Sequence, residues 1–260
     1  MPDNEFQWGL QDYYTSIDDP KIEQDIKEIQ SLADSFISDV KGRLADVHLT
    51  PSQLRVYFTS FETIHERSND LFIYSQLVYY SNTLDKRGKA FSNRINTFYN
   101  EIQNKILFFD LELNEIEEDK FHDLIKSKEL SQYAHYMQYF RNLKKHQLSE
   151  LEEQIIQMKN ITGKDAYFNL FSELTSSFSH EIEVDGELKT YYSSSLLSLL
   201  KHKDRGIRQK SLQMYLEPFK KNELVFTHIL NNRIKEWVLE SKKRNFKQSI
   251  DRRNIENEMD

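Results

Sequence analysis

Eight histidines are the residues in this sequence that could bind a zinc ion, and two of them begin a His-Glu dipeptide. In the helical zinc motif HExxH, two imidazoles lie one turn apart and the glutamate between them acts as a base. His65-Glu66 and His180-Glu181 both lack the second histidine. The latter also falls on a predicted strand, where residues i and i+4 are far apart. Neither dipeptide therefore predicts a zinc site.

Carboxylates and serines are the other residues with chemical potential. A di-iron bundle needs two ExxH motifs, and only residues 62–65 match, so a polar surface pair is the simpler interpretation and a metal-storing bundle is disfavoured. Glu117-Glu118 and Glu152-Glu153 fall in predicted first turns, where they favour the helix dipole. The serines at 193–195 are better placed to cap a helix. No GxSxG, P-loop or GxGxxG motif occurs, so the residues themselves predict no catalytic site.

A basic cluster near the end of the sequence is its largest charge feature. Residues 201–260 carry a net charge of +6, whereas residues 1–200 carry −13. The cluster could attract a carboxylate-bearing ligand or neutralise another domain, although a solvated helix face is the simpler interpretation. Nucleic-acid binding is disfavoured because the net charge is −7 and no aromatic platform accompanies the cluster. Its members are Lys242, Lys243, Arg244, Lys247, Arg252 and Arg253.

Composition sets the class of fold. The 260 residues include 17 Phe and 14 Tyr, which a disordered chain would not carry, but only 6 Gly and 4 Pro, so long helices are expected. The lack of cysteine excludes a disulfide scaffold, a thiol nucleophile and a cysteine-built zinc site. No apolar run reaches the roughly 20 residues of a membrane span, and the first residues do not form a secretory signal. These features indicate a soluble, cytoplasmic protein.

Apolar periodicity predicts three long helices. The first is capped by Asp18 or Asp19 and carries a stripe from Ile22 to Leu44, the second begins at Thr50-Pro51 and runs to about Asn82, and the third carries a stripe from Phe91 to Leu113. Shorter helices are predicted at 117–127, 131–146, 149–158 and 164–176, and a last helical segment from Asp204 should be kinked or divided at Pro218.

One strand signal interrupts the helices. In residues 178–192, Ile182 and Val184 alternate with polar residues, and Asp185-Gly186 is a two-residue hairpin turn. The predicted fold is therefore all-α, a multi-helix bundle with one small β-hairpin. We expect a long-helix bundle at 1–115, short helices with the hairpin at 116–200 and the start of a further helical region at 201–260, all within one continuous helical domain.

Short segments in a fixed order run through nearly the whole chain. They are Trp8-Gly9-Leu10, Asp12-Tyr13-Tyr14, Asp18-Asp19-Pro20, residues 109–113 and 116–118, Tyr133, His135-Tyr136, Arg141-Asn142-Leu143, Leu148-Ser149-Glu150, Glu152-Glu153, and Asp204 with Arg205 and Arg208. Together they resemble the N-terminal portion of oligoendopeptidase F, in the thimet-like family of zinc oligopeptidases.

The resemblance implies a helical, non-catalytic N-terminal domain of a cytoplasmic zinc metalloendopeptidase that hydrolyses short peptides in a deep channel. In that family the zinc, its HExxH helix and a further glutamate ligand lie in the C-terminal half, and no position here matches them. We therefore expect no catalytic residue, metal ligand or cofactor in this chain, a fragment that ends at Asp260, and no activity without the catalytic half as partner.

Two further expectations follow. Lys242, Lys243 and Arg244 could steer peptide carboxylates toward the channel of the full-length enzyme. Trp237 and Phe246 lack obvious partners, so an uncovered apolar face would allow self-association. The alternative, from another class of protein, is a stand-alone helical interaction module whose aromatic stripes bind partner helices.

Overall fold

The computed structural model describes residues 9–83 and 85–259, so Trp8 and Asp260, which entered the expectations above, lie outside it. Helices and one hairpin make up the described chain, as predicted. The helices are α1 (Pro20–Val40), α2 (Pro51–Ser81), α3 (Lys86–Ile106), α4 (Phe108–Glu115), α5 (Glu118–Lys126), α6 (Ala134–Leu143), α7 (Glu150–Thr162), α8 (Lys164–Ser176), α9 (Ser193–Ser198), α10 (Arg205–Lys221), α11 (Glu223–Lys243) and α12 (Ser249–Glu256), and the strands are β1 (Ser179–Val184) and β2 (Glu187–Tyr192).

The described residues fall into two compact units. Unit 1 comprises the chain up to Met158 together with the stretch from Ile255 onward, and unit 2 comprises Lys159–Asn254. Unit 1 therefore contains the three long helices and the shorter α4 to α6, while unit 2 contains the hairpin, α8 to α11 and most of α12.

Side-chain caps fix where the long helices of unit 1 begin. The Asp19 carboxylate accepts the N–H of Lys21, and Pro20 occupies the first turn of α1, as predicted. Thr50 and Gln53 form a reciprocal capping box at the start of α2. Local sequence thus determines both starting points before any tertiary contact is made.

The core of unit 1 is rich in aromatic side chains. Phe109 is fully buried, and its ring centroid lies 5.5 Å from that of Phe36, 5.1 Å from Phe58 and 4.7 Å from Phe61. Phe58 also stacks on Tyr133, with 4.2 Å between centroids. Rings from α1, α2, α4 and the loop before α6 therefore pack together, and each such pair adds about 0.5–1.5 kcal/mol beyond its buried area.

Three predicted helix boundaries need correction. The first helix ends at Val40, and Leu44 is buried from the following loop rather than from the helix. The expected third helix is divided at Leu107 into α3 and α4. Phe108 and Phe109, in the first turn of α4, are both buried.

The third correction concerns Pro218. This residue lies inside α10, and the helix divides four residues later at Asn222, whose N–H donates to the Pro218 carbonyl. Proline removes the donor at its own position but leaves its carbonyl free to accept a later bond, so the chain continues in a helix past the ring.

Unit 2 has a small core at the predicted hairpin. Asp185 and Gly186 both have positive φ, 51° and 85°, as a type I′ turn requires. β1 and β2 pair antiparallel, with Val184 opposite Glu187. Ile182 and Val184 on β1 are buried against Leu196 and Leu199, while most of β2 is exposed.

Candidate functional site

The carboxylate pairs and the serine run have the structural roles that were predicted for them. The Glu117 carboxylate accepts the N–H groups of Asp119 and Lys120 at the start of α5. Ser149 and Glu152 bond each other at the start of α7, as in a capping box. Ser195 accepts the N–H of Tyr192 in the first turn of α9. These side chains satisfy helix ends.

The two His-Glu sequences lie apart from any cluster of ligands. His65 and Glu66 are both exposed on α2, and so is Glu62 of the ExxH match. Glu62 accepts a hydrogen bond from Tyr133, and His65 contacts Gln103. His180 lies on β1, as predicted. Within residues 9–83 and 85–259, no group of three or more His, Asp or Glu side chains is close enough to hold a metal ion.

The basic cluster occupies the end of α11 and the chain that follows it. Lys242 and Lys243 are exposed in the last turn, while Arg244 is the C-cap residue. Arg244 Nε lies 2.9 Å from Oε1 of the Glu240 carboxylate, and Arg252 Nη1 lies 3.1 Å from its Oε2. The two cations thus share one anion, which reduces the charge they present to solvent.

Glu240 is held in its ionised form by this arrangement. Burial would raise the pKa of its carboxyl, but hydrogen bonds from Arg252 and Arg244 outweigh burial and lower the pKa below its ordinary value. Of the three residues expected to steer carboxylates, Lys242 and Lys243 are exposed, and Arg244 is part of a partly buried ion pair.

Trp237 and Phe246 have partners, so the expectation that they form an uncovered face is wrong. Trp237 Nε1 donates to the Ser249 carbonyl at 3.0 Å, and the Arg252 guanidinium lies 4.4 Å from the ring. Phe246 is only 9% exposed. The segment after α11 supplies Ser249 and Arg252 as partners of Trp237, which helical spacing could not have predicted.

Other apolar residues of unit 2 are exposed instead. Leu224 is 72% and Leu239 67% exposed, and the pairs Leu212/Leu216 and Leu230/Ile234 follow helical spacing without being covered. The buried residues of α10 and α11 are Ser211, Ile229 and Ser241. These exposed residues lie on more than one face of α10 and α11, and we call them together the open apolar surface of unit 2; they are Leu212, Leu216, Leu224, Leu230, Ile234 and Leu239.

A partly buried acid in unit 1 was not singled out from the sequence. The Asp110 carboxylate accepts a hydrogen bond of 2.6 Å from the Tyr136 hydroxyl. Burial raises the pKa of Asp110 to about 7, although the bond from Tyr136 acts in the opposite direction. Asp110 follows Phe109 and precedes Leu113 on α4, and both of these neighbours are buried. These apolar neighbours were the signal in the sequence that the acid would be partly buried.

None of the described helices is both long enough and apolar enough to cross a membrane.

Comparisons with known proteins agree with the resemblance. The sequence model of the family described as Oligopeptidase F matches residues 112–179. Oligopeptidase PepF of Bacillus subtilis (strain 168) is 25% identical over 211 residues, which are 78% of this chain and 30% of that protein. The crystal structure of oligoendopeptidase-F from Enterococcus faecium matches 92% of this chain and 47% of its own, with a TM-score of 0.79 and 19% identity.

These matches confirm that the chain resembles the N-terminal portion of oligoendopeptidase F, and they confirm the mainly helical fold. The chain spans less than half the length of the two proteins it matches here.

Proposed function

We propose that this chain forms the N-terminal, non-catalytic part of an oligoendopeptidase F-like zinc metallopeptidase, which is cytoplasmic and hydrolyses short peptides inside a deep channel. The observation that carries the proposal is the match to Oligopeptidase PepF, which extends over 78% of this chain but only 30% of that protein. The match to the Oligopeptidase F family at residues 112–179 supports it independently. Zinc, in this proposal, belongs to the parent enzyme and lowers the pKa of the attacking water there.

The open apolar surface of unit 2 gives the proposal a structural counterpart. Leucine side chains that are more than half exposed at several positions of two neighbouring helices are unusual for a surface that faces water alone. We propose that the catalytic half of the parent enzyme covers this surface, and that copies of the isolated chain associate through it.

A direct test is to read the source DNA beyond codon 260 in all three forward frames. We expect codons for an HExxH-containing helix in the same frame. The absence of that motif from every frame would remove the main support for the peptidase and leave the interaction module as the better account. A motif in another frame would identify a broken gene, whose product should be inactive.

The pure chain should not hydrolyse peptides. The assay is cleavage of a fluorogenic peptide by the 260-residue chain, with and without a metal chelator. Chelator-sensitive cleavage that co-purifies with the chain would contradict the assignment of a non-catalytic part.

The basic end of α11 is proposed to attract peptide carboxylates, with Lys242 and Lys243 exposed and Arg244 contributing a charge that Glu240 reduces. In a full-length enzyme, Lys242→Glu with Lys243→Glu should raise KM for acidic peptides several-fold and leave neutral peptides unchanged. Lys220→Glu with Lys221→Glu, two lysines in the last turn of α10, is the matched control. Equal effects of the two double variants on acidic peptides would remove the steering role.

The stand-alone interaction module is favoured by the same open surface. The two proposals differ in one expected result. Only the interaction module predicts that the chain binds stably to a helical partner that has no zinc motif.

A further inference from the structure

A groove of about 740 Å³ on unit 1 has walls that match an acidic peptide. One wall is a single face of α6, where His135, Gln138, Tyr139 and Asn142 occupy positions i, i+3, i+4 and i+7. Lys144 and Lys145 extend this wall beyond the end of the helix. The volume lies within the range of about 300–1,000 Å³ that is usual for ligand-binding clefts.

Arg141 supplies a fixed positive charge to the groove. Its side chain is only 8% exposed, and its two terminal nitrogens donate to the carbonyls of Asn114 and Ile116, at 3.0 and 2.9 Å. The guanidinium also lies 3.8 Å from the centre of the Phe121 ring. Three different contacts therefore hold the charge in one place, while Nε keeps a hydrogen that no described group accepts.

The other charges of the walls are mainly positive. Lys144 and Lys145 are exposed, and neither forms an ion pair with any part of the chain that the structure describes. The one acidic wall residue that precedes α6 is Glu118, which lies 3.7 Å from Arg141. Without residues 255–259, the walls of the groove therefore carry more positive than negative charge.

The other wall of the groove includes an acidic stretch of the same chain. Glu258 Oε2 lies 3.0 Å from His135 Nε2, and Ile255 and Met259 line the groove on either side of it. The carboxylates of Glu256 and Glu258 are close enough to Tyr139 to contribute to raising the pKa of its phenol, after the larger effect of burial. Acidic and apolar side chains from the end of α12 and the turn after it therefore already contact the groove.

We propose that this groove is a binding site for acidic peptide segments, and that residues 255–259, which close one side of it, act as an internal competitor. Each exposed ion pair is weak, about 0.2–1 kcal/mol, so affinity must come from several charges acting together. A tethered segment has a high effective concentration and would exclude a weak external peptide. The inference does not depend on peptide hydrolysis by any protein that contains this chain.

The experiment measures binding of a fluorescein-labelled Ile-Glu-Asn-Glu-Met peptide to the full 260-residue chain by anisotropy. Glu256→Gln with Glu258→Gln should release the groove, so this variant should bind the peptide at least about fivefold more tightly than the unaltered chain. Added salt should weaken the binding. A labelled Ile-Gln-Asn-Gln-Met peptide should not bind.

Charge reversal identifies the site. In the background of the two Gln substitutions, Lys144→Glu with Lys145→Glu should weaken binding at least about tenfold. Lys126→Glu with Lys128→Glu changes two exposed lysines of unit 1 outside the groove and should have no effect. Failure of the Gln variant to bind the peptide, or binding that Lys144→Glu with Lys145→Glu leaves unchanged, would overturn the proposal. Circular dichroism of each variant excludes unfolding as the cause.

Discussion

Unit 1 and unit 2 bury their apolar residues in different ways. In unit 1 a single cluster of 27 buried residues joins α1 through α6, and its aromatic rings contact one another across helices. The buried cluster of unit 2 has four residues, all near the hairpin and α9, while α8 has no buried residue. The apolar stripes of α1 to α3 are largely buried within unit 1, whereas α7 has no buried residue and most apolar side chains of α10 and α11 are exposed.

This difference indicates what each unit requires for stability. About 25 cal/mol is gained per Å² of apolar surface removed from water, so a unit that leaves its leucines exposed forgoes much of that gain. Unit 1 has the core of an independently stable fold. Unit 2 has the features expected of a region that gains its remaining burial from another polypeptide surface.

The largest predicted effect comes from removing a ring at the centre of unit 1. Phe109→Ala should lower the free energy of unfolding by about 3–5 kcal/mol, because the ring is fully buried among three other aromatic side chains. The control is Phe168→Ala on α8, where the ring is 60% exposed and the change should be within about 0.5 kcal/mol. Urea denaturation measures both, and equal losses would contradict the contrast between the units.

A smaller effect concerns the buried acid of unit 1. Asp110 has a pKa of about 7 in the folded chain against an ordinary value of 3.8. Below the lower value both states are protonated. As pH rises from there to the folded pKa, only the unfolded state ionises, so stability is lost. Asp110→Asn should therefore match the unaltered chain at low pH and exceed its stability by about 1–3 kcal/mol above pH 7.

The measurement is the free energy of unfolding across this pH range for both chains. Asn retains an oxygen that can accept the Tyr136 hydrogen bond, so the comparison isolates the ionisation of the carboxyl. A constant difference between the two chains at every pH would show that the carboxyl does not titrate as described.

The smallest effect on stability, and the most informative on association, comes from the open apolar surface of unit 2. Leu230→Glu with Ile234→Glu should change the free energy of unfolding by no more than about 0.5 kcal/mol but reduce self-association in sedimentation velocity. Val47→Glu with Val56→Glu changes two exposed apolar residues of unit 1 and is the matched control. If the control reduces association equally, the association does not involve unit 2 specifically.

The sequence predicted the elements well because their signals are local. Asp19 and Thr50 cap the helices they were expected to cap, α8 has the predicted limits, and the Asp185-Gly186 turn has the positive φ values that its residues favour. Helix breaks were less predictable. The break at Leu107 has neither glycine nor proline beside it, so no local signal in the sequence marks it.

The candidate surfaces could be predicted only in part. The charges at Lys242 and Lys243 are visible in the sequence, but the ion pair of Arg244 with Glu240 requires the geometry of the last turn of α11. Helical spacing of Leu230 and Ile234 resembles that of core residues, so their exposure could not be distinguished from burial. The groove on α6 depends on the return of residues 255–259 to unit 1, which no local pattern encodes.

The central claim is that unit 1 is complete in itself while unit 2 is not, and native-state hydrogen exchange tests it most directly. Amides of α1 to α3 should exchange only through global unfolding of the chain, because these helices supply most of the buried core of unit 1. Amides of α10 and α11 should exchange at least about tenfold faster, through local opening. The free energy of that opening should be at least about 1.4 kcal/mol smaller than the free energy of global unfolding. Equal protection in the two units would contradict the account.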